Sequence, residues 1–382
     1  MPLTTTSHAN RHPLWIDRQA DLDAWIEHAE SAPWLGVDTE FERVRTFFPR
    51  LCLLQMATPD QAVCIDPLAD LDWDGIRELI TQSQPTKIFH AARQDLEVLH
   101  HYLSVLPTHF FDTQMAGALC GYGEQVGYAQ LVKEICNVSL PKAFTRTPWC
   151  RRPLGSEEIQ YALDDVHYLG ILYQTLHAAL RQRGRLSWLA DDCAALVSNE
   201  ALQQAEAAPV NRVLRACAGM DWQSQSVAAA LTKWREDLAR RKDRPREWML
   251  STDVVVELAR SRPKDLQQLA GVPGLEKATL KRRGEELLEI IRAGESPAPD
   301  FTPVSKPGRP DPRLRALGNA MWKHLGELCE REGLPTSAVA PRDEIRALAA
   351  GERDLRILSG WRRKFVGESL LALASPADTS RP

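Results

Sequence analysis

The chain has 382 residues, more than one ordinary hydrophobic core accommodates, so it divides into two or three domains. Its 44% hydrophobic and 26% charged content excludes global disorder, and no run approaches the roughly 20 apolar residues of a membrane helix. The net charge of -4 conceals a split: residues 1–207 carry -11 and the remainder +7. A polyanionic partner would be held mainly by the basic half, while the acidic excess of the first half suits a site that works with cations.

The N-terminus lacks the basic-then-apolar plan of a secretion signal, which makes a cytoplasmic location the expectation. The 8 cysteines never form a Cys-x-x-Cys pair, which argues against both zinc and a disulfide scaffold. From Trp34 to Pro67 the segments WLGVDTEF, LCLLQMAT and AVCIDP read as three strands of an antiparallel meander. A helix over DWDGIRELITQS follows, with Asp72 or Asp74 near its start, then KIFHA as a fourth, buried strand running into the helix RQDLEVLHHYL. Asp112 is placed to cap TQMAGALCG. From Glu157 to about Arg183 a single long helix is expected, opened by Ser156. Strands followed by alternating helices and strands indicate a mixed α/β sheet covered by helices.

Past Pro209 helical periodicity dominates. The Pro-rich stretch around Lys306 to Pro312 reads as a linker. The flanking pieces RPREWMLSTDVVVELA and LPTSAVAPRDEIRALA resemble one another at an offset of about 90 residues, longer than solenoid periods of roughly 20–50 residues, which suggests tandem domains. The divisions expected are residues 1–207, 208–295, a linker at 296–310, and 311–378: an α/β domain and two small all-α domains.

The chemistry concentrates in acids. Asp38 and Glu40 alternate on one strand, so both carboxylates project from one face while Thr39 points away. Two acids on one strand face repel unless a cation lies between them. Asp95 opens a helix directly after a buried strand, where α/β sheets gather functional groups. Tyr161 and Asp165 share a helix face at i and i+4, with Asp164 turned about 100° away. Each alone reads as an ordinary surface or capping residue. Together, four carboxylates supply the oxygen ligands that hard divalent cations require, and such a site can hydrolyse a phosphodiester by in-line displacement between two metals.

VDTEF, KIFHAARQDLEVL and YALDDVHYL resemble the three motifs of the DEDD exonuclease superfamily, tyrosine subclass. RTFFPRLCLLQMA, FFDTQMAGALCG and SLPKAFTRTPWCRRPL add a resemblance to its ribonuclease D branch, covering about Trp15 to Leu189. The resemblance implies a ribonuclease-H-like fold and 3′-to-5′ hydrolysis of RNA, transfer RNA precursors among the substrates, from a free 3′ end with release of 5′-mononucleotides. Two divalent ions, Mg2+ or Mn2+, would be held by Asp38, Glu40, Asp95 and Asp165. Asp38, Glu40 and Asp165 would bind the nucleophile-side ion, Asp38 would bridge to the second, Asp95 would support that one directly or through water, and Tyr161 would orient the attacking water. A DNA exonuclease and a noncatalytic RNA-binding protein are the competing readings; all four carboxylates are present, which disfavours the second.

The helical half resembles two copies of the helicase-and-ribonuclease-D C-terminal (HRDC) domain. In the first, LAGVPGLEKATLKRRGEELLEII resembles a helix-hairpin-helix, making Gly271, Gly274 and Lys277 candidates for phosphate contact, with Arg240, Arg241 and Lys242 nearby. In the second, Trp361, Arg362 and Arg363 combine a stacking surface with charge. Trp222, Trp234 and Trp248 are expected in the core, and His90 and His167 in packing or supporting roles. Arg151 and Arg152 suit either substrate phosphates or ion pairs. No Gly-x-x-x-x-Gly-Lys-Ser/Thr loop occurs, so no nucleotide cofactor is expected. A monomer acting without a membrane completes the expectation.

Overall fold

The structure, a computed structural model, describes residues 14–141, 147–296, 301–306, 308 and 311–374. The expectation made for the N-terminus lies outside those residues, as do parts of the linker and of the stretch 139–154. The chain forms two compact units: residues 1–42, 50–197 and 310–382 make the first, and residues 43–49 and 198–309 the second.

The first unit is built on a six-stranded mixed sheet in the order β1-β4-β3-β2-β5-β6. The three meander strands are β2 (Trp34–Glu42), β3 (Arg50–Ala57) and β4 (Ala62–Ile65), paired antiparallel, and β5 (Thr86–Phe89) adds to β2 in parallel. Two edge strands were not anticipated: β1 (Leu14–Ile16), parallel to β4, and β6 (Phe110–Asp112), parallel to β5. Both have three residues, too few for a period of two to register. Covering helices are α1 (Gln19–Glu30), α2 (Asp74–Thr81), α3 (Arg93–Leu103), α4 (Thr113–Cys120), α5 (Tyr128–Cys136), α6 (Ser156–His167), α7 (Leu169–Gln182) and α8 (Leu186–Leu196). The expected single helix from Glu157 to Arg183 is therefore two, broken at Tyr168. Its opening cap is Gly155, whose N–H donates to the Glu158 side chain at 2.6 Å, and Ser156 is the first helical residue.

Asp112 does cap α4, accepting the N–H groups of Gln114 and Met115 at 2.8 and 3.1 Å. It also accepts from Ala91 and Ala92 at 3.2 and 2.8 Å. Ala91 has a φ of 58°, a left-handed conformation costly for a residue with a Cβ, so this carboxylate holds the strained turn through which β5 enters α3.

Cys52 and Cys150 form a disulfide with Cα atoms 4.8 Å apart, where no pairing was expected. Sequence spacing gave no hint, because the partners are 98 residues apart. Beside the disulfide, Arg152 ties its own segment to β3 and to the loop after β4, donating to the Cys52 carbonyl at 2.6 Å and to both oxygens of Asp66.

The C-terminal helices α15 (Pro312–Glu332), α16 (Thr336–Val339) and α17 (Arg342–Ala349), followed by short helical turns to Ala374, share one hydrophobic core with the sheet and its helices. This corrects the expectation for Trp361 and Arg362 as an RNA-facing surface. Trp361 is 4% exposed and stacks on Trp188 of α8, ring centroids 4.2 Å apart and nearly coplanar. Arg362 is 5% exposed, ion-paired with Asp192 and bonded to the carbonyls of Val339 and Ala338 at 2.9 and 3.1 Å. A guanidinium so desolvated must have its donors satisfied, and here they are. Arg363 remains exposed beside Glu368.

The second unit packs α9 (Asn199–Ala216), α10 (Trp222–Lys242), α11 (Arg246–Met249), α12 (Thr252–Ser261), α13 (Leu266–Ala270) and α14 (Lys277–Gly294) around a core of its own. Pro209 lies inside α9, so the helix runs through the boundary expected at 207 and the units divide before Ser198. Trp234 is half-buried and donates to Glu286 at 2.7 Å, whereas Trp222 and Trp248 are 48% and 57% exposed rather than core.

Candidate active site

Alternation on β2 turns Asp38 and Glu40 toward the face crossed by α6, which packs over β2, β3 and β4. A bulge between Glu40 and Phe41 shifts the register against β3 directly after the second acid, ending the regular ladder there. Gly36 permits the close approach of the helices: a Cβ at that position would stand 3.2 Å from Leu169 and 3.4 Å from the Val166 carbonyl. Gly170 is tighter still, since a Cβ there would fall 2.2 Å from the Trp34 ring.

The packing brings Asp38, Glu40 and Asp165 together, with carboxylate oxygens within 4.8 Å of one another. Asp95, 7% exposed, stands beside this trio. Its Oδ1 accepts the Thr39 N–H at 3.1 Å and the Thr39 hydroxyl at 2.6 Å. Alternation turns the Thr39 side chain away from Asp38 and Glu40; its partner is Asp95, 56 residues further along the chain. Gln55, directly opposite Asp38 in the β2–β3 register, is fully buried with no hydrogen-bond partner for its amide among the described residues.

Crowded, half-desolvated acids resist ionisation. Burial, then the charges of Asp95, Asp165 and Glu40, hold the Asp38 carboxyl well above its ordinary value. Burial, with Asp165 and Asp95, pushes Glu40 up to about 8. Asp165 is raised to about 7 by burial, Asp164 and Asp95. Asp95 is raised to about 7 chiefly by burial, against the opposing effect of the Thr39 bonds. A positive charge at the trio would reverse this, and the donor set is all oxygen, as hard divalent cations require. Among the described residues, Glu42, Cys52 and Cys150 also approach one another, but the disulfide occupies both sulfurs.

Tyr161 lies one turn before Asp165 on α6 and stacks against Trp149, ring centroids 6.2 Å apart. Burial and the neighbouring Asp165, Glu40 and Asp38 lift its phenol to about 12, so it stays protonated and able to donate at neutral pH. Asp164 is turned aside, accepting from Gln160 at 2.9 Å, yet its repulsion still makes Asp165 harder to ionise. Arg151 and Arg152 take the ion-pair alternative, with Glu158 and Asp66 respectively. Neither His90 nor His167 joins the carboxylates: His90 bonds Thr113 at 2.9 Å, and His167 packs edge-on to Tyr168.

In the second unit Gly271, Gly274 and Lys277 are exposed, Gly274 with a φ of 80° that a side chain rarely adopts. Arg240, Arg241 and Lys242 are also exposed, at the end of α10. The guanidinium groups of Arg240 and Arg246 lie over the Phe47 ring at 5.8 and 5.5 Å, and Asp243 accepts from the N–H groups of Phe47 and Phe48 at 3.0 and 3.1 Å.

Residues 13–181 match the 3′-5′ exonuclease family and residues 224–291 the HRDC domain family. Ribonuclease D of Gluconacetobacter diazotrophicus is 34% identical, the alignment covering 94% of this chain and 92% of that protein. Ribonuclease D of Jannaschia sp. is 36% identical over 94% and 95%. The crystal structure of Escherichia coli RNase D, an exoribonuclease involved in structured RNA processing, superposes with a TM-score of 0.83 at 26% identity, covering 95% of this chain and 98% of that one.

Proposed function

The chain belongs to the ribonuclease D family and is a 3′-5′ exoribonuclease dependent on divalent metal, and on that premise we propose that it shortens RNA from a free 3′ end by two-cation hydrolysis, releasing 5′-mononucleotides. The observation that carries the mechanism is the meeting of Asp38, Glu40 and Asp165 within 4.8 Å, with Asp95 alongside. Two Mg2+ or Mn2+ ions would supply Lewis-acid activation of the attacking water and charge neutralisation at the leaving 3′-oxygen.

Asp38, Glu40 and Asp165 would hold the nucleophile-side ion, and Asp38 would also help to hold the second. Asp95, anchored by Thr39, would support that second ion directly or through water. The protonated Tyr161 phenol, backed by Trp149, orients the attacking water. Arg240, Arg241 and Lys242, with Gly271, Gly274 and Lys277, grip substrate phosphates. The exposed Trp248, two residues past Arg246, offers a base a stacking face. Residues 311–378 act as a second HRDC-like domain that stabilises the exonuclease sheet rather than binding RNA through Trp361 and Arg362. Transfer RNA precursors and other structured RNAs are the substrates that fit this reading, acted on by a monomer in the cytoplasm.

The direct test offers matched RNA and DNA strands with free or blocked 3′ ends and identifies the products by chromatography. Mononucleotides bearing a 5′-phosphate, from unblocked RNA in preference to DNA, are expected. Internal fragments, or equal cleavage of blocked strands, would overturn the proposal.

A further inference from the structure

One hydroxyl breaks the helix that carries Tyr161 and Asp165. In an uninterrupted helix the Tyr168 N–H would donate to the Asp164 carbonyl four residues back. Here the Tyr168 N–H, while also reaching Val166 O, donates to the Tyr128 hydroxyl at 3.2 Å, and that hydroxyl donates to the Asp164 carbonyl at 2.8 Å. The phenol oxygen has entered the ladder as an extra rung. An inserted polar group is one of the few physical causes of a sharp helix break, and this run contains no proline to supply another.

We propose that Tyr128 is a positioning residue for hydrolysis: by wedging its hydroxyl between α6 and α7 it fixes the last turn of α6, and so sets the Asp165 carboxylate against Asp38 and Glu40. The proposal rests on the reading of Asp165 as a cation-holding group. Asp164, whose carbonyl the phenol holds, is the residue immediately before Asp165. Tyr128 is itself anchored from the other side. The His90 ring meets it edge-on at 5.5 Å, His90 Nδ1 bonds Thr113 Oγ1 at 2.9 Å, and that hydroxyl donates to the Phe89 carbonyl at 3.0 Å. The wedge is thereby referenced to β5 and the start of α4. The helices around the break also seat closely against β2, where Gly36 and Gly170 leave no room for a Cβ without displacement. With the ladder unbroken, the Asp164 carbonyl would be taken by the Tyr168 N–H and the turn bearing Asp165 would have no tie to Tyr128.

The test compares the full chain as wild type, Tyr128→Phe and Tyr102→Phe. The last is a matched control that also loses one hydroxyl bond, the 3.1 Å donation to the Pro67 carbonyl. Three quantities are measured: the unfolding midpoint, RNA affinity in chelator, and the Mn2+ concentration giving half-maximal shortening of 5′-labelled RNA. Tyr128→Phe should raise the half-saturating Mn2+ on the order of 10-fold, the scale at which groups supporting metal ligands act, with RNA affinity unchanged. Tyr102→Phe should leave the Mn2+ requirement at the wild-type value. Equal requirements in wild type and Tyr128→Phe, or equal shifts in both variants, overturn the proposal. Tyr128→Met, which fills the same space flexibly without a hydroxyl, replaces Tyr128→Phe should that variant not fold. If neither folds, Tyr128 is a structural residue and the proposal fails. Inactive wild type would instead refute the hydrolytic reading, and Mn2+ binding followed by calorimetry would then test the placement of Asp165 by itself.

Discussion

Removing metal should make this protein less stable as the pH rises, and restoring metal should reverse the loss. The folded state holds Glu40 near 8 against an ordinary 4.5, and Asp165 and Asp95 near 7 against 3.8. A carboxyl raised on folding keeps its proton while the unfolded chain has released it, so its stabilising contribution is complete below about pH 4 and is lost progressively up to its folded value. At about 1.4 kcal/mol per pH unit, Glu40 alone accounts for at most about 5 kcal/mol between pH 4.5 and 8. The three losses do not add, because each acid is raised partly by the others. A cation at 100 times its dissociation constant returns about 2.7 kcal/mol, or roughly 5–10 °C in midpoint for a unit of this size. The assay is thermal unfolding followed by circular dichroism at pH 5 to 8.5, in chelator and in Mn2+, for wild type and Asp38→Asn. Wild type in chelator should melt progressively lower as the pH rises and recover with Mn2+, while Asp38→Asn should show a shallower slope and little response to metal. A pH-independent midpoint for metal-free wild type, or the same metal response in the variant, would refute the electrostatic reasoning.

Thr39→Val deletes the 2.6 Å hydroxyl bond to Asp95 and should slow RNA shortening while costing about 1.5–3 kcal/mol of stability; unchanged turnover would show that Asp95 does not depend on that hydroxyl. Trp361→Ala should destabilise the first unit by about 3–5 kcal/mol through loss of the Trp188 stack, yet leave RNA affinity intact below its melting point, whereas weakened binding with unchanged stability would restore Trp361 as an RNA contact. Replacing Arg240, Arg241 and Lys242 together by alanine should lower RNA affinity and reduce the slope of affinity against salt by up to about two. A slope equal to that of wild type would remove this cluster from the interface.

What the sequence disclosed follows from how local each signal is. Asp38 and Glu40 share a face because strand alternation is obligatory, and Tyr161 and Asp165 share one because helical spacing is. Asp112 announced itself as a cap by preceding a helix. The features that stayed hidden depend on chain-distant partners. Thr39 could be aimed away from its acidic neighbours but not at Asp95, which lies 56 residues on. The break after Asp165 comes from a tyrosine 40 residues earlier, so helical periodicity through Tyr168 looked unbroken. Trp361 and Arg362 carry the same pattern as a nucleic-acid surface, and only the presence of Trp188 and Asp192 beside them reveals a core contact. Trp222 and Trp248 erred the other way, assigned to the core by residue type and found exposed.

The most direct test incubates 5′-labelled RNA bearing a single-stranded 3′ tail with wild type or Asp165→Asn, each in Mg2+, Mn2+ or chelator. A metal-dependent ladder shortening from the 3′ end with wild type, absent in chelator and in Asp165→Asn, is the result expected of these carboxylates. Shortening by Asp165→Asn at the wild-type rate, or by wild type in chelator, would contradict it.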